Sequence, residues 1–352
     1  MKVSKKFDLS ELSKYRKPIL GIATLWIVLY HSWDLNFYES NFLNKYNLAE
    51  SITDFRMIGD SGVDFFLFFS AFGLYFSLKK NNVLRRFYKR RLLRIFPELL
   101  VVSMIFYSFS PCKGLFDWFS KIFLFGFYSS GLPGGNHYWY FSLIIVLYLL
   151  FPILFRIIDI WDWKGTFVLI TIVVACSYGL SIVNPQYFVM IDILTVRIPI
   201  FIVGIWFGKL AYNHTQISKT FIYFSIPISI VLIVISCVLR KNWLQNRPKF
   251  EFFDRYEYFL MVIVLSVVIV FFFSIFKLRL IKNCLSLIGE YSLEIYLLYE
   301  ILYLNLRTVF KSSDKIGISY TFAILSITFV LSVILKQVNN VILQTQEINY
   351  KR

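Results

Sequence analysis

The sequence predicts an all-α polytopic membrane protein, with about ten transmembrane helices in one bundle and both termini in the cytoplasm. Three observations lead there. Of 352 residues, 58% are hydrophobic and 16% charged, against roughly 45–50% apolar and about 25% charged in soluble globular chains. Apolar runs of about 20 residues, each enough to cross a hydrocarbon core of roughly 30 Å, recur along the whole length. Lys and Arg divide unequally between the two sets of loops that such runs define. A mean hydropathy of +0.64 excludes an ordinary soluble domain and, with so little charge, excludes disorder as well. The 39 Phe and 23 Tyr suit lipid-facing helices and interfacial belts.

Ten spans can be written: 18–36, 58–78, 95–110, 138–158, 165–183, 192–212, 220–239, 257–276, 285–306 and 316–337. An even number puts both ends of the chain on one side. The loops on that side carry 24 Lys and Arg and the opposite loops 12, with Arg197 inside span 6 completing the 37. Positive charge is retained in the cytoplasm, which orients the bundle. The net charge of +16 is thereby a topology signal rather than a nucleic-acid footprint. Residues 1–17 form a cytoplasmic amino-terminal segment, too polar and too long before the first apolar run to be a cleaved signal. Residues 18–337 form the membrane domain and 338–352 a cytoplasmic tail, with nothing after residue 337 long enough for a further domain. The stretch 116–130 reads as an interfacial helix. No repeat of 20 to 50 residues marks a solenoid. Cys112, Cys176, Cys237 and Cys284 lack any Cys-x-x-Cys spacing, so they predict packing residues, with neither a disulfide framework nor a metal site.

Ionisable groups at membrane depth cost about 2.5–3.5 kcal/mol on insertion scales, which makes each a functional candidate. They cluster here. His31 lies near the outer end of span 1, Asp60 and Asp64 open span 2, Arg197 enters span 6, and Glu294, Tyr299 and Glu300 climb span 9. A cavity lined by acid, base and hydroxyl groups follows from that set. The competing reading is that several are interfacial residues or ion pairs holding helices together. Of three histidines, His31 is the most embedded in apolar sequence, and a neutral imidazole there can take a proton from a hydroxyl near pH 7. An interfacial His satisfied by a hydrogen bond is its plainer alternative.

Between spans 2 and 3 the chain places eight cations in sixteen residues, from Lys79 to Arg94. On a helix, Arg86, Arg90 and Arg94 share one face, ready to grip phosphates with planar forks. An anchor against anionic lipid accounts for the same charge.

These segments, in this order, resemble acyltransferase family 3, membrane enzymes that O-acylate cell-surface carbohydrates and other acceptors. LGIATLWIVLYHSW is similar to the family's opening helix, which ends in a functional His, here His31. GVDFFLFFSAFGLYFSL resembles the Gly-Val-x-x-Phe-Phe stretch with its following Ser-Gly-Phe, Ala71 replacing the second Gly. RRFYKRRLLRIFP matches the basic Arg-Arg-x-x-Arg-Ile-x-Pro signature through Arg90, Arg91, Arg94, Ile95 and Pro97. HYWYFSLIIVLYLLFP, RIPIFIVGIWFGK and IGEYSLEIYLLYE resemble three later motifs. The chain departs from the family at Leu20, where an Arg is common eleven positions before the His, with Arg16 and Lys17 nearby, and at Tyr299, where a His is common.

The resemblance implies transfer of an acyl group, acetyl by expectation, from cytoplasmic acyl-CoA to a hydroxyl of an envelope glycan in a bacterial cytoplasmic membrane. Under it, Arg90, Arg91 and Arg94, with Lys17, hold the phosphates of acetyl-CoA, and His31 is the general base. Asp60 or Asp64 orients its ring, and Arg197 or Tyr299 stabilises the oxyanion. Partners are then acyl-CoA, the surface glycan acceptor and membrane lipid, with no metal and no nucleic acid. A secondary transporter or glycan flippase, also a bundle with buried ions, is the alternative from another class. A catalytically inactive relative is a third, to which Leu20 and Tyr299 belong.

Overall fold

The computed structural model describes residues 6–32, 48–108, 114–116, 139–245, 256, 258–276, 278–309 and 318–351. Strand β1 (Lys6–Asp8) and a short helix α1 (Glu11–Lys14) lead into α2 (Arg16–His31), α3 (Leu48–Met57), α4 (Gly62–Lys80) and α5 (Leu84–Ser108). There follow α6 (Trp139–Val183), α7 (Pro185–Thr195), α8 (Ile198–Tyr212), strand β2 (Gln216–Ser218), α9 (Lys219–Gln245) and α10 (Phe259–Ile275). The last three helices are α11 (Arg279–Glu290), α12 (Ser292–Val309) and α13 (Ile318–Lys351). Helix therefore dominates, as expected of backbone that has no water to bond with in a bilayer.

Among the described residues, five helical runs are long and apolar enough to cross a membrane: Leu48–Lys80, Trp139–Val183, Ile191–Tyr212, Lys219–Lys241 and Tyr320–Val341. The other expected spans also fall on helices, but these are shorter or more charged. The 16 residues of α2 reach only about 24 Å at 1.5 Å per residue, and residues 33–36 of that expected span lie outside the described residues. So does nearly all of the expected interfacial segment 116–130.

Three boundaries differ from the sequence expectation, and one strand pair is added to it. Spans 4 and 5 form one helical run, α6, broken only at Asp162 (φ 53, ψ −133). The break is made by distant side chains. Lys209 caps the carbonyls of Ile158 and Asp159 at 3.2 and 3.1 Å, and Trp206 Nε1 donates to Asp162 Oδ1 at 2.8 Å. Span 6 is divided at Arg197, because Pro199 sets a new helix start with Arg197 as its N-cap. Span 9 is divided at Tyr291 between α11 and α12. Finally, β1 pairs with β2 antiparallel, in the register Phe7↔Ile217, as the one strand pair among the described residues. That strand pair ties the amino-terminal segment to the loop between spans 6 and 7, two segments that the charge map assigns to one side.

The chain forms two compact units. The first contains Met1–Tyr30, Phe37–Asn82 and Leu149–Gly289; the second contains His31–Asn36, Val83–Tyr148 and Glu290–Arg352. In the first, α4 and α8 run parallel in close contact. A Cβ at Gly204 would strike the carbonyl oxygen of Phe68, and one at Gly208 would lie 2.8 Å from that of Phe72. Two glycines four residues apart thus let the backbones touch, the small-x-x-x-small packing of membrane helices. At one end of this pair Arg197 meets Asp64; towards the other, Lys79 meets Asp159 at 2.9 Å, while Tyr75 donates to Asp159 at 2.5 Å. Helix α2 lies antiparallel to α4. Arg16 occupies the space beside Gly73, and Ala23 and Ile27 meet Gly62. In the second unit, α12 and α13 pack antiparallel through Tyr303–Tyr320 and Tyr291–Phe329, with ring centroids 5.5 Å apart in each pair. Tyr296 of α12 stacks edge-on against Tyr140 of the α6 start.

Candidate active site

Two polar assemblies, one in each unit, hold His31, Asp60, Asp64, Arg197, Tyr299 and Glu300. In the first unit, the 3-10 turn Gly59–Ser61 presents Asp60 and the first turn of α4 presents Asp64. A carboxylate at a helix N-terminus faces unpaired amides and the positive end of the helix dipole. Asp64 is 4% exposed and Arg197, at the start of α8, 7% exposed. Arg197 Nη1 donates to Asp64 Oδ2 at 2.5 Å, and its Nη2 lies 3.8 Å from Asp60 Oδ2. Asp60 is also 3.5 Å from Arg240, whose Nη2 donates to the Tyr30 hydroxyl at 3.1 Å. Two carboxylates thus meet two guanidiniums, and the assembly is neutral overall. Arg240 was absent from the sequence-derived set. It lies inside α9, one position past the expected span 220–239, and an Arg directly following an apolar run carries the same signal as Arg197.

Tyr30 is followed by His31, the last residue of α2. In the second unit His31 Nδ1 faces Glu300 Oε1 at 3.7 Å, both side chains one-fifth exposed. Next to it, the Ser32 and Tyr299 hydroxyls share a hydrogen bond of 2.7 Å. Consecutive residues at the end of α2 therefore meet consecutive residues of α12. The carboxylate set against His31 is Glu300, whereas Asp60 and Asp64 are engaged by Arg197. Sequence placed Glu300 in the polar cluster without giving it this role, because a helix-to-helix contact 269 positions away leaves no local mark. At 3.7 Å the pair is a charge contact rather than a hydrogen bond; a carboxylate on the Nδ1 side favours positive charge on the ring, with Nε2 facing away from it.

The same unit contains a further buried group. Glu98 and Glu294 are 3% and 4% exposed. Asn339 Nδ2 donates to Glu98 Oε1 at 2.5 Å, while Lys336 approaches Glu294 at 4.0 Å and Glu290 at 3.8 Å. Of these, only Glu294 was read as a candidate from sequence.

The basic segment is helical, as the phosphate-gripping reading requires. Arg86, Arg90 and Arg94 are exposed on α5 one turn apart. Arg91 is half-buried, its guanidinium 5.8 Å over the Phe87 ring. Lys17 is exposed at the start of α2, while Leu20 is buried in the core of the first unit. Gly73, within the second motif, makes room for Arg16.

A family model described as an acyltransferase domain, acyltransferase 3, matches residues 21–337. The chain belongs to the acyltransferase 3 family and is a membrane protein of that class. Searches of curated proteins and of solved structures return no match.

Proposed function

We propose that the chain is an integral membrane O-acyltransferase of the bacterial cytoplasmic membrane, passing an acetyl group from acetyl-CoA to a hydroxyl of a cell-envelope glycan. Ten spans with both termini in the cytoplasm would put the basic segment of α5 on the acetyl-CoA side. Family membership supports acyl transfer, and the observation that carries the mechanism is the His31–Glu300 pair. In this reading His31 Nε2 takes the proton of the acceptor hydroxyl as its oxygen attacks the thioester carbonyl. The imidazolium, held by the Glu300 carboxylate, then returns that proton to the departing CoA sulfur as the carbon–sulfur bond breaks. The Tyr299 and Ser32 hydroxyls, paired with each other beside the His31–Glu300 contact, are assigned as donors for the oxyanion. Arg90, Arg91 and Arg94, with Lys17, are assigned to the diphosphate of the donor. Asp60, Asp64 and Arg197 take a positioning role, fixing α4 and α8 and, through Arg240 and Tyr30, the end of α2.

Acyl groups on the surface glycan of the source cell, compared with the gene present and deleted, test the reading. Loss of O-acetyl on deletion, restored by the wild-type gene but not by His31→Gln, is expected. Unchanged acylation would refute it.

A further inference from the structure

Apart from both polar assemblies, the first unit holds a cavity of about 310 Å³ lined by Tyr15, Phe273, Ser274, Phe276, Leu278, Arg279, Lys282 and Asn283. We propose that this cavity binds a phosphate-bearing purine nucleotide, specifically the adenosine 3′-phosphate end of the acyl-CoA donor. The proposal rests on the acyl-transfer reading above.

Its lining has the chemistry of that ligand. Among the described residues its lining contains an arginine and a lysine and no carboxylate, so it favours an anion. Lys282 is held by the Tyr15 ring, its ammonium 5.9 Å from the centroid. Tyr15 is in turn stacked on Phe273 at 6.0 Å with an interplanar angle of 12°. The cation is therefore carried on a rigid aromatic base rather than on a freely moving stem. Arg279 is exposed at the start of α11 and offers a planar fork that matches phosphate oxygens. Phe276 is 50% exposed at the cavity wall and braced against Phe272 at 4.4 Å, leaving a ring face on which a base can stack. Asn283 supplies both a donor and an acceptor for a base edge or ribose hydroxyl. A lipid phosphate would use the two cations but would need neither the stacking face nor the amide. The volume stands at the lower end of ligand pockets, roughly 300–1,000 Å³, which suits one end of a long donor rather than all of it. The charge map places this loop, between spans 8 and 9, on the cytoplasmic side.

The test uses the full chain, purified and reconstituted in phosphatidylcholine nanodiscs, titrated calorimetrically with adenosine 3′,5′-bisphosphate. Saturable binding that competes with acetyl-CoA is expected. Arg279→Ala with Lys282→Ala should weaken it about tenfold or more, as the loss of charge-assisted hydrogen bonds implies. Phe276→Ala should weaken it about fivefold or more, the lower end for base-on-aromatic stacking. All three positions lie at the surface of the fold, and unchanged melting midpoints would exclude misfolding as the cause. Equal affinity in wild type and variants overturns the proposal, as does binding of phosphatidylglycerol through Arg279 and Lys282 without binding of the nucleotide. The two readings fail separately. Thiol release from acetyl-CoA with an unchanged KM in the variants would refute only the cavity. A wild-type chain that binds the bisphosphate but releases no thiol would refute acyl transfer instead.

Discussion

The Arg197–Asp64 pair gives the sharpest test of how the first unit is held together. Asp64 is 4% exposed, and its contact with Arg197 Nη1 is 2.5 Å. Arg197 has a second carboxylate, Asp60 at 3.8 Å, and Asp60 has a second guanidinium, Arg240 at 3.5 Å. Removing one partner of a buried ion pair costs about 3–5 kcal/mol, chiefly because the survivor is left as an uncompensated buried charge. Arg197→Met strands Asp64 and should lie near about 5 kcal/mol, the upper end. Asp64→Asn leaves an amide oxygen that still accepts from Arg197, and Asp60 still faces that guanidinium, so its cost should lie near about 3 kcal/mol. The double variant Asp64→Leu/Arg197→Met leaves one carboxylate, Asp60, with one guanidinium, Arg240, and is again neutral. It should recover most of the loss, since apolar replacement of a whole buried pair is often neutral or stabilising. Melting midpoints read by size-exclusion chromatography after heating in detergent would rank the four proteins. The expected order is wild type close to the double variant, then Asp64→Asn, then Arg197→Met. A double variant no more stable than Arg197→Met would refute the pairing argument, and so would an Arg197→Met protein that melts with wild type.

His31→Gln should leave folding intact and lower acyl transfer by about 10²–10⁴, the usual worth of a general base. Glu300→Gln should lower the rate less and shift its pH profile, and a Glu300→Gln enzyme with wild-type rate and profile would remove the carboxylate from the mechanism. Replacing Arg90, Arg91 and Arg94 together by Lys keeps the charge and loses the planar forks. Membrane insertion should therefore persist while affinity for a non-hydrolysable acetyl-CoA analogue falls; unchanged affinity would leave lipid anchoring as their role. Gly204→Ala drives a methyl into the Phe68 carbonyl and to 2.9 Å from Ala71 Cβ. Its overpacking cost of about 1–3 kcal/mol should outweigh the roughly 0.5–1 kcal/mol that alanine gains in helix propensity, lowering the melting midpoint. A cysteine at Asn81, on a background without the native four, should resist an impermeant external thiol reagent while one at Asn246 reacts, and the reverse pattern would invert the topology.

The helical membrane class was legible without the fold, because hydropathy over 20 residues is a local property that lipid reads directly. The exposed face of Arg86, Arg90 and Arg94 was legible too, since it requires only that a segment be helical. The family was readable from six short motifs in order. Tertiary structure decided what lay between segments distant in the chain. The break at Asp162 depends on Lys209 and Trp206, which cap it from another helix. The use of Gly204 and Gly208 depends on which helix lies against them, and α4 supplies it. Asp60, Asp64, Arg197, His31 and Glu300 were all recognised as polar groups at membrane depth, yet their partners followed from packing. A buried charge must find an opposite charge or a hydrogen bond wherever the fold brings one, and for Asp64 that partner is 133 residues away. The sequence therefore determined which residues needed partners, and only the packing of helices decided that Arg197 would meet the aspartates and Glu300 would face His31.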